Sequence, residues 1–150
     1  MSVAQTLIDA LGLEPHPEGG WYKETWRGPE GAGGRSVGTS IHFLLTNQQR
    51  SHWHRIDGHE VWVWQAGDPL MLLTAPDEAT AATKTVLGRG VSQGQVMQAV
   101  VEPNEWQAAQ PVEGSAGYTL VSCIVTPGFE FEHFEMAPED WYPGRTPPAW

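Results

Sequence analysis

Glycine and proline break this chain so often that a fold built from long helices is closed to it. Of 150 residues, 17 are glycine and 12 proline. Glycine admits turn conformations that other residues avoid, and proline donates no backbone N–H. Together they favour short extended segments joined by tight turns. Between the breaks lie segments rich in β-branched, aromatic and aliphatic residues, at 21–26, 37–46, 51–56, 60–65, 70–74, 95–102, 106–109, 118–126 and 129–135. Turn signals recurring about every eight to twelve residues, with no alternation of strand and helix, predict an all-β sandwich or barrel. One short helix is expected at 3–11. Val3, Leu7 and Leu11 recur at helical spacing, Ser2 and Gln5 fit a capping box, and Gly12 stops the run. The polar loop 28–34 is expected to be the least ordered stretch. Region 76–94 is read as mixed, its Ala-rich part suited to a short helix, and the last ten residues as an irregular tail. No repeat or linker divides the chain, so residues 1–150 are expected to form a single domain.

The formal net charge is −10. A field of that sign repels phosphate backbones and anionic lipid surfaces, which argues against nucleic-acid and membrane partners. The N-terminal stretch has no basic region, and Asp9 interrupts its apolar residues, so no secretory signal is expected. No apolar run is long enough to span a bilayer. The expected setting is cytoplasmic. The single cysteine, Cys123, sits among Leu120, Val121, Ile124 and Val125, which predicts a buried, inert thiol.

The sharpest local feature is the segment from Ser51 to Glu60, which carries His52, His54, His59 and Glu60. Residues two apart in a strand share a face, so His52 and His54 are expected to point the same way. A turn at Asp57-Gly58 returns Glu60 beside them. Two imidazoles and a carboxylate suit iron, manganese, nickel or zinc. His-x-His also arises readily by chance, and Arg55 has an ordinary reading as the partner of a surface acid.

His52-x-His54, then Glu60, then Gly67 resembles the first motif of the cupin superfamily, with a slightly long gap of five residues between His54 and Glu60. The second motif corresponds to Glu102–Ala109. Pro103 is present, but Trp106 and Gln107 stand where a third metal-binding histidine is usual, which weighs against a metal. Further segments in order resemble one bacterial and fungal cupin branch: Pro15-His16-Pro17-Glu18-Gly19-Gly20-Trp21-Tyr22, Ser40–Leu45, Ser51–Gly67, Val86–Gly88, Pro103–Ala109, Leu120–Val125 and Pro127–Phe131. The resemblance implies an RmlC-like jelly-roll barrel with one short N-terminal helix, commonly a homodimer. It also implies kinship to cupin-class dTDP-sugar epimerases and to ligand-binding storage proteins.

Three functions fit. In the first, an epimerase- or isomerase-like enzyme acts on a sugar or carbonyl compound. His54 is general base and Glu60 orients it or acts as its acid partner. Tyr22 and Gln107 hydrogen-bond the ligand, and Trp62, Trp64 and Trp106 offer stacking faces. Each tryptophan has an alternative place in the core or an interface. The second is a metal-dependent enzyme with His52, His54 and Glu60 as ligands and Gln107 as a weak fourth. The third is a non-catalytic metabolite-binding protein. Gly19-Gly20 suits either a close backbone approach or a bulge at the barrel rim. Phe129–Glu135, with Glu130, Glu132 and His133, is read as structural.

Overall fold

The computed structural model describes residues 1–145, 147 and 150, so the expected irregular tail lies partly outside the described residues. Among the described residues, eleven strands follow helix α1 (Val3–Leu11). They are β1 (Glu14–Pro15), β2 (Trp21–Arg27), β3 (Thr39–Thr46), β4 (Ser51–Ile56), β5 (His59–Gly67), β6 (Leu70–Ala75), β7 (Thr83–Leu87), β8 (Gln98–Val101), β9 (Trp106–Pro111), β10 (Tyr118–Thr126) and β11 (Phe134–Met136). They form a six-stranded sheet, β1-β2-β3-β10-β5-β8, facing a five-stranded sheet, β11-β4-β9-β6-β7. The two antiparallel sheets and the short helix make the expected cupin jelly roll.

Alternation explains where each side chain goes. On β3, Phe43 and Leu45 point between the sheets, while Leu44 points out against α1. On β6, Leu70 and Leu72 point in, while Met71 and Leu73 point out. The inner core gathers Phe43, Leu45, Trp62, Leu72, Val121 and Cys123, among others. The outer face of the five-stranded sheet holds Trp53, Trp106 and Ala108, covered by Trp141, Tyr142 and Trp150 of the C-terminal segment. Helix α1 buries Ala4 and Ile8 against Leu44, Tyr118 and Leu120. Ser2 Oγ accepts the Gln5 N–H at 3.1 Å, and Gly12 ends the helix in the left-handed region at φ 67°. The Gln5 side chain goes to Asp9, so only half of the capping box is made.

Three local expectations are corrected. Loop 28–34 is tied down: the Gly28, Gly31 and Val37 N–H groups reach Gly38, Arg35 and Pro29 carbonyls, making a tight excursion. Region 76–94 contains no α-helix but strand β7, because Thr83–Leu87 pair along β6. Segment 129–135 is not one strand. It turns through a 3₁₀ segment at Phe131–His133 before β11, which brings Phe129, Phe131 and Phe134 together, with ring centroids 4.9–6.0 Å apart. No helix among the described residues is long and apolar enough to cross a membrane.

Candidate functional site

The site begins at the two consecutive glycines. Gly19 has φ 111° and Gly20 φ 76°. A Cβ on Gly19 would overlap the Arg50 carbonyl, and one on Gly20 would sit 2.6 Å from a Leu45 methyl and 2.8 Å from the Leu44 carbonyl oxygen. Only glycine allows the chain to lie this close to β3 and the entry to β4. The close approach seats Glu18. The His52 N–H donates to its carbonyl at 2.8 Å, its own N–H donates to His16 Nδ1 at 3.1 Å, and its carboxyl enters the space between the sheets.

Strand β4 meets it there. Pairing of β4 with β9 is irregular between Ser51 and His54, and that irregularity puts Ser51 and His54, three residues apart, on the inner side. Ser51 Oγ donates to Glu18 Oε1 at 2.8 Å, and His54 Nε2 lies 3.2 Å from Glu18 Oε2. His54 Nδ1 is 2.7 Å from the His52 carbonyl, which can only accept, so Nδ1 carries a hydrogen. Nε2 therefore faces Glu18 with one proton between them. Burial supports the same assignment. It lowers the His54 pKa and raises that of Glu18 to about 8, against a smaller opposing effect of the Ser51 hydrogen bond. His16 is depressed to about 4 by burial and by His54.

A second chain of hydrogen bonds holds Glu60 on β5. Trp62 Nε1–H donates to Gln107 Oε1 at 2.9 Å, and Gln107 Nε2–H donates to Glu60 Oε1 at 2.8 Å. The indole can only donate, so the amide orientation is settled by chemistry. Gln107 sits opposite His54 in the β4–β9 register and reaches across to the other sheet. Cys123 lines the same space, and burial pushes its thiol well up. Burial raises Glu60 to about 7, with the His54 charge and the Gln107 bond opposing.

His16, Glu18, His54, Glu60 and Cys123 line one cavity of about 220 Å³. Tyr22, Phe129 and Phe131 add aromatic walls, and the Glu24–Arg27 ion pair also borders it. Two carboxyls and the His54 imidazole thus share one buried space, and burial raises both carboxyls toward neutral pH.

Of the residues singled out in the sequence, Tyr22, His54 and Glu60 line this cavity, and Trp62 and Gln107 stand behind Glu60. The others lie elsewhere. Trp64 donates to the Asp68 carbonyl at 3.0 Å, and Trp106 is buried on the outer face, its ring 4.5 Å from that of Trp141. His52 does not share a face with His54. The irregularity in β4 turns it outward, with Nε2 3.1 and 3.0 Å from the carbonyls of Ala137 and Pro138. The sequence reading passed over Glu18 and His16 as acid–base groups, although it marked the glycine pair that positions them.

A divalent metal does not fit the inner donors. Both ring nitrogens of His54 are engaged, His52 points away, and Gln107 turns its N–H toward Glu60 and its oxygen toward Trp62. Among the described residues, the His/Glu group with ligand atoms within 4.8 Å of one another is Glu130, Glu132 and His133, near the surface.

The paired sheets with polar groups gathered between them define a cupin barrel. The chain belongs to the cupin superfamily: the family described as Cupin superfamily (DUF985) matches residues 5–137. It is 31% identical to the uncharacterised protein YML079W of Saccharomyces cerevisiae, over 93% of this chain and 78% of the yeast one. A hypothetical protein from Leishmania major has the same fold at TM-score 0.80 and 33% identity, covering 90% and 86% of the two chains. Protein SO0799 from Shewanella oneidensis superposes at TM-score 0.82 and 32% identity, covering 91% and 85%. A Bacillus subtilis oxalate decarboxylase variant, at 11% identity, TM-score 0.58 and coverage of 81% and 29%, shares the fold alone.

Proposed function

We propose that residues 1–150 form one cupin domain that binds a small polar molecule in the barrel and moves protons on it, as an epimerase- or isomerase-like enzyme does on a sugar or carbonyl compound. The observation that carries this reading is the 3.2 Å contact of His54 with Glu18 beside Glu60 in one cavity. Burying two carboxyls and an imidazole is costly unless they are paired, and a merely structural role does not require them to line open space. The Glu18–His54 pair takes a proton from a carbon next to a carbonyl, and protonated Glu60 gives one to the carbonyl oxygen. The product is an enol, with the pair one proton richer and Glu60 ionised. Return of the pair's proton to that carbon on the other face, or to the former carbonyl carbon of an enediol, while the matching O–H gives its proton back to Glu60, regenerates both groups. Tyr22 orients the ligand. Kinship to RmlC-like sugar epimerases with a His-Pro-Glu-Gly-Gly start belongs to this proposal.

The test is solvent-deuterium wash-in at carbon–hydrogen bonds of candidate ketoses and aldoses, followed by proton NMR. Exchange that needs both His54 and Glu60 is expected. Saturable binding of the same compounds without exchange would leave a binding protein.

The outer face of the larger sheet aligns Val100, Val61 and Ile124 across three strands, with Val100 55% and Ile124 37% exposed. This row supports the further proposal of a homodimer. A monomer-mass elution profile across a wide concentration range would contradict it.

A further inference from the structure

We infer that the cavity takes an uncharged molecule of about monosaccharide size, carrying hydroxyl or carbonyl oxygens and one apolar face, and rejects carboxylated and phosphorylated compounds. The inference rests on the binding role proposed above and adds the charge of the ligand.

The charges around the cavity carry it. Among the described residues that line it, Arg27 is the one arginine or lysine. Two of its three guanidinium nitrogens are already committed. Nε lies 3.2 Å from Glu24 Oε2, and Nη2 lies 2.7 Å from Glu24 Oε1 and 2.9 Å from the Phe129 carbonyl. The two-point pairing cancels the charge that would otherwise capture an anion. Glu18, Glu24 and Glu60 border the same space and, protonated or ionised, supply no positive charge, and His16 is held uncharged. An entering carboxylate or phosphate would lose its hydration and meet no free cation. The chain's net charge of −10 opposes its approach as well.

The remaining lining suits a neutral partner. The Glu60 and Glu18 carboxyls and the Tyr22 hydroxyl offer donors and acceptors. Phe129, Phe131 and Val125 offer apolar surface for the weakly polar face of a sugar ring or a cyclic ketone. At about 30 Å³ per water in the liquid, a volume near 220 Å³ holds about seven waters, or one compact ring with its substituents.

The experiment titrates isotope-labelled protein at pH 7 with matched probes while His54 and Glu60 side-chain signals are followed by NMR. One set is D-glucose, D-glucuronate and D-glucose 6-phosphate; the other is dihydroxyacetone and its phosphate. The expected result is that glucose or dihydroxyacetone moves these signals, and that its anionic counterparts need at least about tenfold higher concentration. An anion that binds as tightly as its neutral counterpart would overturn the charge inference and leave the binding reading standing. No movement with any probe up to about 100 mM, well above millimolar affinity, would overturn both. Glu24→Gln frees Arg27, and a gain of about tenfold for glucuronate with none for glucose is expected. Unchanged glucuronate binding in that variant would remove Arg27 pairing as the cause.

Discussion

The inner and outer faces of the β4–β9 pair are built from neighbouring residues yet have opposite characters. Trp106 and Gln107 are adjacent in the chain. Gln107 points inward, bonded to Trp62 and Glu60, while the buried Trp106 indole nitrogen has no hydrogen-bond partner among the described residues. His52 and His54 are two apart, and they too divide, His54 to the cavity and His52 to the carbonyls under the C-terminal segment. Regular alternation makes the first division and the irregularity in β4 makes the second. Polar groups on the inner face are tied into directed chains, whereas the outer face is held mainly by contact area.

The largest effect is expected where the inner face is seated. Gly19→Ala must displace the Arg50 carbonyl and occupy φ 111°, at a cost of about 3 kcal/mol or more. For a chain of this size the melting temperature should fall by roughly 6–12 °C. A fall of a degree or two would mean that Glu18 is not held by a close approach.

Next comes a pair of like substitutions on the two faces. Trp62→Phe strands the Gln107 carbonyl, whereas Trp106→Phe removes an N–H that bonds nothing among the described residues. Denaturant unfolding should show the first to cost about 1–3 kcal/mol more than the second. Equal costs would break the distinction between directed and area-based burial.

A smaller effect appears in the pH dependence of stability. Glu18 and Glu60 are raised in the folded state from 4.5 to about 8 and about 7, so the fold binds protons that the unfolded chain releases. Their contribution is complete below pH 4.5 and is lost as pH rises through 7 and 8. His16, lowered from 6.5 to about 4, acts oppositely, its contribution being lost as pH falls from 6.5 through 4. Between pH 6.5 and 8 the carboxyls act without that opposition, so the melting temperature should decline there. Glu18→Gln should flatten the decline; an equal slope in the variant would place the titration elsewhere.

Much of the fold was legible because strand alternation and turn residues are local. The helix and its ends and the core strands follow from such patterns, whereas the place of Gln107 follows from the resemblance to the second cupin motif. His52 was misplaced because an irregularity in pairing leaves no mark in period-two spacing. Trp106 was assigned to the ligand although it faces away, since an aromatic beside a turn reads alike for either face. Glu18 and His16 lie on a loop, where no periodicity tells which way a side chain points. The glycine pair was the available signal, and its meaning depended on the strand it approaches.

The most direct test of the account is carboxyl ¹³C NMR of Glu18 across a pH titration of the wild-type chain. The account predicts a midpoint near 8, with His54 Nδ1 protonated throughout the neutral range. A Glu18 midpoint in the ordinary carboxylate range near 4.5, with His54 Nε2 rather than Nδ1 carrying the proton of a neutral ring, would contradict the shared proton at the centre of the site.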